Sequence, residues 1–207
     1  MKRLILIGAS GHGKVCADIA DKNGFEQIIF LDDDESIHKC GRYPVIGRTD
    51  DFASLIDEEA SFLVSIGNSS IRRRIQETIK KAGGHLVTLI HPMSAMGEDV
   101  VLGEGCVVMA GAVINPGSVI GDGVIINTCS SVDHDCTIGD YVHVAVGAHV
   151  CGTVSIGDDA WIGAGATIIN NLSVCSGCTI GAGAVVIKDV SDEGTYAGVP
   201  AGMIRQD

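Results

Sequence analysis

The segment VDHDC (residues 132–136) places His134 between two carboxylates, Asp133 and Asp135. A carboxylate hydrogen-bonded to one ring nitrogen orients an imidazole and stabilises its protonated form, so this triplet suits a general base working near neutral pH. Gly152 follows eighteen residues later. A backbone N–H there, unshielded by a side chain, can meet a developing oxyanion. A second concentration of chemistry lies near the start, in GASGHGKV (8–15), LDDD (31–34) and SIGNSS (65–70). Backbone N–H groups of Ser10, Gly11, His12 and Gly13 at a helix start form a site for a phosphate or a sugar hydroxyl. Asp32 and Asp33 can accept from a nucleoside, and Gly67 and Asn68 end a third strand on the same edge.

Two familiar motifs fail here. Gly8, Gly13 and Lys14 match the spacing of a phosphate-cradling P-loop, but Val15 stands where the magnesium-binding Ser or Thr belongs, which argues against ATP hydrolysis. Gly8, Gly11 and Gly13 do not follow the G-x-G-x-x-G order of a dinucleotide turn, so NAD binding is not favoured.

The elements that must carry these residues are legible from periodicity. LILIG (4–8) reads as a buried strand, the glycine turn opens a helix, and 27–34 reads as a second strand ending in carboxylates, a βαβ unit. Residues 61–70 read as strand and loop, and IRRRIQETIKKAG (71–83) as an amphipathic helix closed by Gly83 and Gly84. Residues 1–85 are therefore expected to form an α/β, Rossmann-like domain.

The remainder obeys a different rule. Counting in sixes from Ile90 to Val186 lands on an unbroken series of aliphatic residues, including Val132, Ile138, Val144 and Val150. A six-residue apolar repeat is the signature of a hexapeptide β-helix, in which three hexads close one triangular coil. The repeat class coils left-handedly, so residues 86–207 are expected to form a left-handed parallel β-helix. Residues eighteen apart should stack about 4.8 Å apart, which puts His134 in one column with Pro116, Gly152 and Asn170. Small residues such as Cys106, Ala112, Cys136 and Cys178 occupy the second inward position, and glycines fall where corners need unusual backbone angles. The positions just before the inward aliphatics, Val101, Val107, Val113, Val119 and Ile125, are expected to face outward. Such a stripe needs cover from an oligomer or from the N-terminal domain.

Composition narrows the function. At 207 residues the chain can build its cores without a metal or disulfide. The eight cysteines read mainly as small core residues, and the single CxxC (175–178) lacks a second pair for zinc. A formal charge of −12 argues against a nucleic-acid partner. No apolar run approaches a membrane span, and the opening MKRLILIGAS is too short for a signal peptide, so a cytoplasmic location is expected.

The combination of GASGHGKV, LDDD, SIGNSSIR and LIHP with NTCSSVDHDCTIGDYVHVAVGAHVCGTVSIG and YAGVPAGMI resembles the bacterial sialic acid O-acetyltransferase family. Within it, the branch that N-acetylates nucleotide-linked amino-sugars in bacillosamine biosynthesis is most similar. The resemblance implies acetyl-CoA-dependent transfer to the amino group of a nucleotide-linked, UDP-type 4-amino-sugar, with no metal. It implies His134 as catalytic base, Asp135 as its carboxylate and the Gly152 amide at the thioester oxygen. It further implies acetyl-CoA contacts at His143, Gly152, Ala164 and Ala182, nucleotide-sugar contacts at Ser10, Gly11, His12, Asp32, Asp33, Gly67 and Asn68, and a homotrimer. Asp135 is shorter than the glutamate of the family's motif. Two other readings stand beside this one: O-acetylation of sialic acid or another sugar, and a non-enzymatic, nucleotide-sensing trimeric scaffold.

Overall fold

The computed structural model describes residues 2–205, and the chain divides into two compact units between Pro92 and Met93. The division falls later than the 85/86 boundary expected from sequence. The reason is local: residues 85 and 86 add a strand to the first unit's sheet.

The first unit contains strands β1 (Arg3–Ile7), β2 (Gln27–Leu31), β3 (Lys39–Cys40), β4 (Tyr43–Gly47), β5 (Ala60–Val64) and β6 (His85–Leu86). They lie in the order β3-β4-β2-β1-β5-β6. All pairings are parallel except the β3–β4 hairpin. Helix α1 (Gly11–Lys22) follows β1, and α2 (Ser69–Lys81) follows β5. Because strand side chains alternate, Ile5 and Ile7 join Phe62, Val64, Ile75 and Ile79 in one core that includes the inner side of α2. Leu4, Leu6 and Phe30 face the opposite side, where α1 buries Cys16, Ala17, Ile19 and Ala20. Each such aliphatic contributes about 1.5–3 kcal/mol. With β1 central and its neighbours on either side, the carboxyl ends of β1, β2 and β5 converge on one edge. A Rossmann-like unit binds its ligands at such an edge.

In the second unit, sixteen two-residue strands run from Ala95–Met96 to Val185–Val186. They stack in three parallel sheets with the expected eighteen-residue register, as in Val107, Ile125, His143, Trp161 and Thr179. The inward ladder is buried from Val108 to Val186, and so are the small residues two places before it. All eight cysteines are free thiols. Cys106 and Cys136 each donate to a carbonyl of the neighbouring coil, at 3.1 and 3.2 Å.

The two sets of glycines turn out to have different causes. Every sixth residue from Asp99 to Gly183 has a positive φ, with Gly at eight positions and a larger residue at the other seven, among them Asp135 at 57°. The glycines that directly follow the aliphatics do not share that angle. They are small because the next coil is too close: a Cβ on Gly121 or Gly139 would meet the Asp140 or Asp158 carboxylate and backbone. Asp122, Asp140 and Asp158 form a ladder, each accepting from a corner N–H one coil earlier at 2.8–2.9 Å. They cap the corners, a role the hexad count alone does not disclose.

The outer apolar stripe is covered unevenly. Val107 and Ile125 are each 1% exposed within the single chain, Val113 is half-buried, and Val101 and Val119 are 56% and 45% exposed. Val107→Asp should therefore damage the fold itself, costing roughly 3 kcal/mol or more by burying a carboxylate. Chemical denaturation would show this, and a wild-type midpoint would contradict it.

Candidate active site

The convergent strand ends of the first unit are tied together by hydrogen bonds. The Ala9 N–H donates to Asp32 Oδ2 at 2.6 Å, which joins the turn after β1 to the end of β2. Asp32 Oδ1 accepts from the Asp34 N–H at 2.9 Å, so this carboxylate shapes the crevice as well as facing it. The Ser65 hydroxyl, buried at the end of β5, lies 3.0 and 2.8 Å from the carbonyls of Ile7 and Gly8. Asp33 accepts from the Thr49 N–H at 3.0 Å.

Ser10 is the N-cap of α1, yet its hydroxyl makes no capping bond. The N–H groups of Gly11, His12 and Gly13 likewise have no partner among the described residues. The helix start thus offers unspent donors. Gly13 is required by packing, since a Cβ there would collide with the Gly8 carbonyl. Gly11 and Gly67 are different: nothing lies within 4 Å of an added Cβ, and neither has a positive φ. Their lack of a side chain leaves room in the crevice instead of relieving the fold. Asn68 spends its carboxamide oxygen as the N-cap of α2, accepting from the Ile71 N–H at 3.0 Å. His12 is half-buried, with Nε2 3.7 Å from the Cys16 thiol. Burial, aided by the Arg72 charge, pulls its pKa down to about 4, so it is neutral at physiological pH.

In the second unit His134 occupies a corner of the β-helix and is exposed. Its Nδ1 lies 2.8 Å from Asp135 Oδ2, so the shorter carboxylate reaches the ring directly. An ionised carboxylate only accepts, which places the proton on Nδ1 and the lone pair on Nε2. Nε2 lies over Gly152, where an added Cβ would sit 2.6 Å from it. The Gly152 N–H donates to no group among the described residues. The hydrogen bond that His134 donates to Asp135, together with the Asp133 charge, raises the imidazole above its ordinary pKa.

Asp133 is held by a network that the sequence reading did not single out. Its Oδ1 accepts from Asn115 Nδ2 at 2.7 Å and from the His134 N–H at 2.8 Å, and these bonds keep its carboxyl below the usual range. Its carbonyl accepts from the Ser118 hydroxyl at 2.7 Å. Asn115 stands eighteen residues before Asp133, so the column rule contained the signal.

The remaining expected positions lie elsewhere on the β-helix. His143 is 7% exposed, with Nε2 3.0 Å from Asn127 Nδ2 and its ring centroid 4.3 Å from that of Trp161. Ala164 and Ala182 are exposed on a corner column with Val146. That corner differs from the one carrying His134 and Gly152. One chain therefore does not bring Ala164 and Ala182 together with His134. Among the described residues, no helix is long and apolar enough to cross a membrane.

A histidine–carboxylate pair on a hexapeptide β-helix, preceded by a Rossmann-like unit with an open helix start, defines the class of this protein. Its first unit matches the family described as PglD N-terminal domain over residues 3–79, and residues 153–188 match the bacterial transferase hexapeptide (six repeats). The acetyltransferase domain of PglB from Neisseria gonorrhoeae FA1090 is 42% identical, with 99% of this chain and 100% of that one covered and a TM-score of 0.94. That domain has also been solved in complex with acetyl coenzyme A. PerB from Caulobacter crescentus, solved in complex with CoA and GDP-perosamine, is 34% identical over 98% of this chain and 97% of that one, with a TM-score of 0.93. UDP-N-acetylbacillosamine N-acetyltransferase of Bacillus subtilis (strain 168) is 34% identical over 113 residues. The match takes in 53% of this chain, which spans about half (52%) of that curated relative's length. The chain belongs to the family of hexapeptide-repeat acetyltransferases that carry a PglD N-terminal domain.

Proposed function

We propose that this protein transfers the acetyl group of acetyl-CoA to the amino group of a nucleotide-linked 4-amino-sugar, with UDP as the expected carrier. The observation that carries this reading is the placement of His134: Asp135 fixes Nδ1 at 2.8 Å, and Nε2 faces the space over Gly152. An amine attacks a thioester only as the free base, and it must shed a proton as the C–N bond forms. His134 Nε2 takes that proton, and the imidazolium is stabilised by Asp135 and Asp133. The unpartnered Gly152 N–H meets the oxyanion of the tetrahedral intermediate. Collapse expels the CoA thiolate, which the imidazolium can protonate, so no acyl-enzyme is needed. Ser10, Gly11, His12, Asp32, Asp33, Gly67 and Asn68 hold the sugar nucleotide, and His143, Ala164 and Ala182 contact acetyl-CoA. Similarity to proteins solved with acetyl-CoA, or with CoA and GDP-perosamine, supports this division. A cytoplasmic setting, where acetyl-CoA and sugar nucleotides are available, fits the chemistry.

The test is free-thiol release from acetyl-CoA with a panel of UDP-, GDP- and CMP-linked amino-sugars. Turnover with a UDP-linked 4-amino-sugar is expected. Tight binding across the panel with no thiol released would favour the scaffold reading.

The same reading calls for a homotrimer. With His134 on one corner and Ala164 and Ala182 on another, a complete site takes its base from one copy and part of its acetyl-CoA contact from a neighbour. Mixing unfolded His134→Ala and Ala164→Glu chains and refolding them together should restore measurable turnover that neither variant shows alone. A co-refolded mixture as inactive as its components would contradict a shared site.

A further inference from the structure

Arg72 lies in the first turn of α2 and is 1% exposed. Taking a guanidinium out of water costs free energy that an aliphatic residue of similar length would avoid. The group reaches back to the turn that leads into the helix: Nη1 donates to the carbonyl of Ile66 at 2.9 Å and to that of Gly67 at 2.7 Å. The peptide bonds joining Ile66 to Gly67 and Gly67 to Asn68 are trans, since the one cis bond among the described residues joins Val199 to Pro200. In a trans peptide the N–H points opposite to the C=O. Two carbonyls gathered onto Arg72 therefore turn the N–H groups of Gly67 and Asn68 away from it. Neither N–H donates to another group among the described residues. The Arg72 charge is also felt by His12 in the first turn of α1, across the same convergence of strand ends.

We infer that Arg72 is a positioning residue for the sugar nucleotide: it aims the Gly67 and Asn68 N–H groups at oxygens of a nucleoside diphosphate and sets a fixed positive charge behind the crevice. This rests on the nucleotide-sugar reading above. It assigns to a side chain that never reaches the surface the task of shaping two backbone donors that do the binding. Lysine is expected to substitute only in part: both bonds come from the one nitrogen Nη1, which an ammonium can imitate, but the shorter side chain holds its donors at a different reach and on no fixed plane.

The experiment is calorimetric titration of the full chain with UDP and with GDP, repeated on Arg72→Lys and Arg72→Met, alongside steady-state kinetics. With the nucleotide that binds wild type, Kd is expected to rise about 5-fold in Arg72→Lys and about 50-fold in Arg72→Met, as for lost charge-assisted contacts. KM for acetyl-CoA and kcat at saturating sugar nucleotide should stay near wild type. The His12 imidazole, followed by NMR, should titrate at higher pH in Arg72→Met, which reports the lost charge; the readout a purely structural role would not produce is the loss of nucleotide affinity with kcat and acetyl-CoA KM retained. Unchanged nucleotide affinity in folded Arg72→Met would overturn the inference. Should that variant fail to fold, unchanged affinity in Arg72→Lys would overturn it equally, as would matching losses for acetyl-CoA. If wild type binds neither UDP nor GDP, the nucleotide reading itself falls, which separates the two failures.

Discussion

His134→Ala is expected to lower kcat by roughly 10²-fold or more while leaving acetyl-CoA affinity close to wild type. The loss should be this large because the second histidine assigned to the site cannot take over: His143 is buried against Asn127 and Trp161. The affinity should survive because the acetyl-CoA contacts at Ala164 and Ala182 are proposed on another corner. The same assignment fixes a pH dependence. A base must be neutral to accept a proton, so the rate falls as pH drops through the His134 pKa. The Asp135 hydrogen bond and the Asp133 charge set that pKa above the ordinary value. Asp135→Asn removes the bonded charge, lowers the imidazole pKa and moves the acid limb of the kcat/KM profile to lower pH. The plateau rate should also drop, since the ring loses both its orienting acceptor and its stabilised cation. Stopped assays across pH 5–9 would read both effects, the range being chosen as roughly two units either side of neutral. An acid limb that stays in place would remove Asp135 from the pair.

Gly152→Ala should abolish most activity without unfolding the protein. The added Cβ would lie 2.6 Å from His134 Nε2 and 2.7 Å from Cε1, which cannot coexist. The exposed imidazole yields more cheaply than the buried coil, so the ring rotates off its position and the coil remains. Gly152 does not have a positive φ, and a methyl group adds no backbone strain there. Displacing a reacting atom by about 1 Å is enough to lose roughly 10²-fold in rate. Thermal unfolding should remain near wild type while kcat collapses. If activity persists, the imidazole does not work from its place over Gly152; if the protein unfolds, the glycine serves the coil.

The β-helix was almost wholly legible in the sequence because its period is enforced at every coil. A ladder of residues such as Val132, Val150 and Ile168 must alternate inward at fixed spacing, and a single insertion would turn the series outward. The same arithmetic puts His134 next to Gly152 in one column of successive coils. Burial on the outer faces was less legible. Val107 and Val101 occupy equivalent hexad positions, yet one is buried and the other exposed. The repeat cannot distinguish them, because it encodes a coil and not what covers it. In the first unit the glycine turn and the carboxylates were expected at one edge, and they lie at the carboxyl ends of β1 and β2. What they did not convey was the division of labour: Asp32 is spent partly on the Ala9 and Asp34 N–H groups. Arg72 read as one basic residue in a helix, since nothing in IRRRIQ marks which arginine turns inward. Asp122, Asp140 and Asp158, which the hexad count does not single out, cap successive corners.

The most direct measurement is the fate of the acetyl group. Incubated with acetyl-CoA and a UDP-linked 4-amino-sugar, the protein is expected to release one CoA thiol per sugar consumed. NMR and mass spectrometry should then place the acetyl group on the 4-amino nitrogen, and His134→Ala should reduce both signals together. An acetyl group found on a hydroxyl oxygen, or a sugar nucleotide that binds and returns unmodified while acetyl-CoA stays intact, would contradict the account.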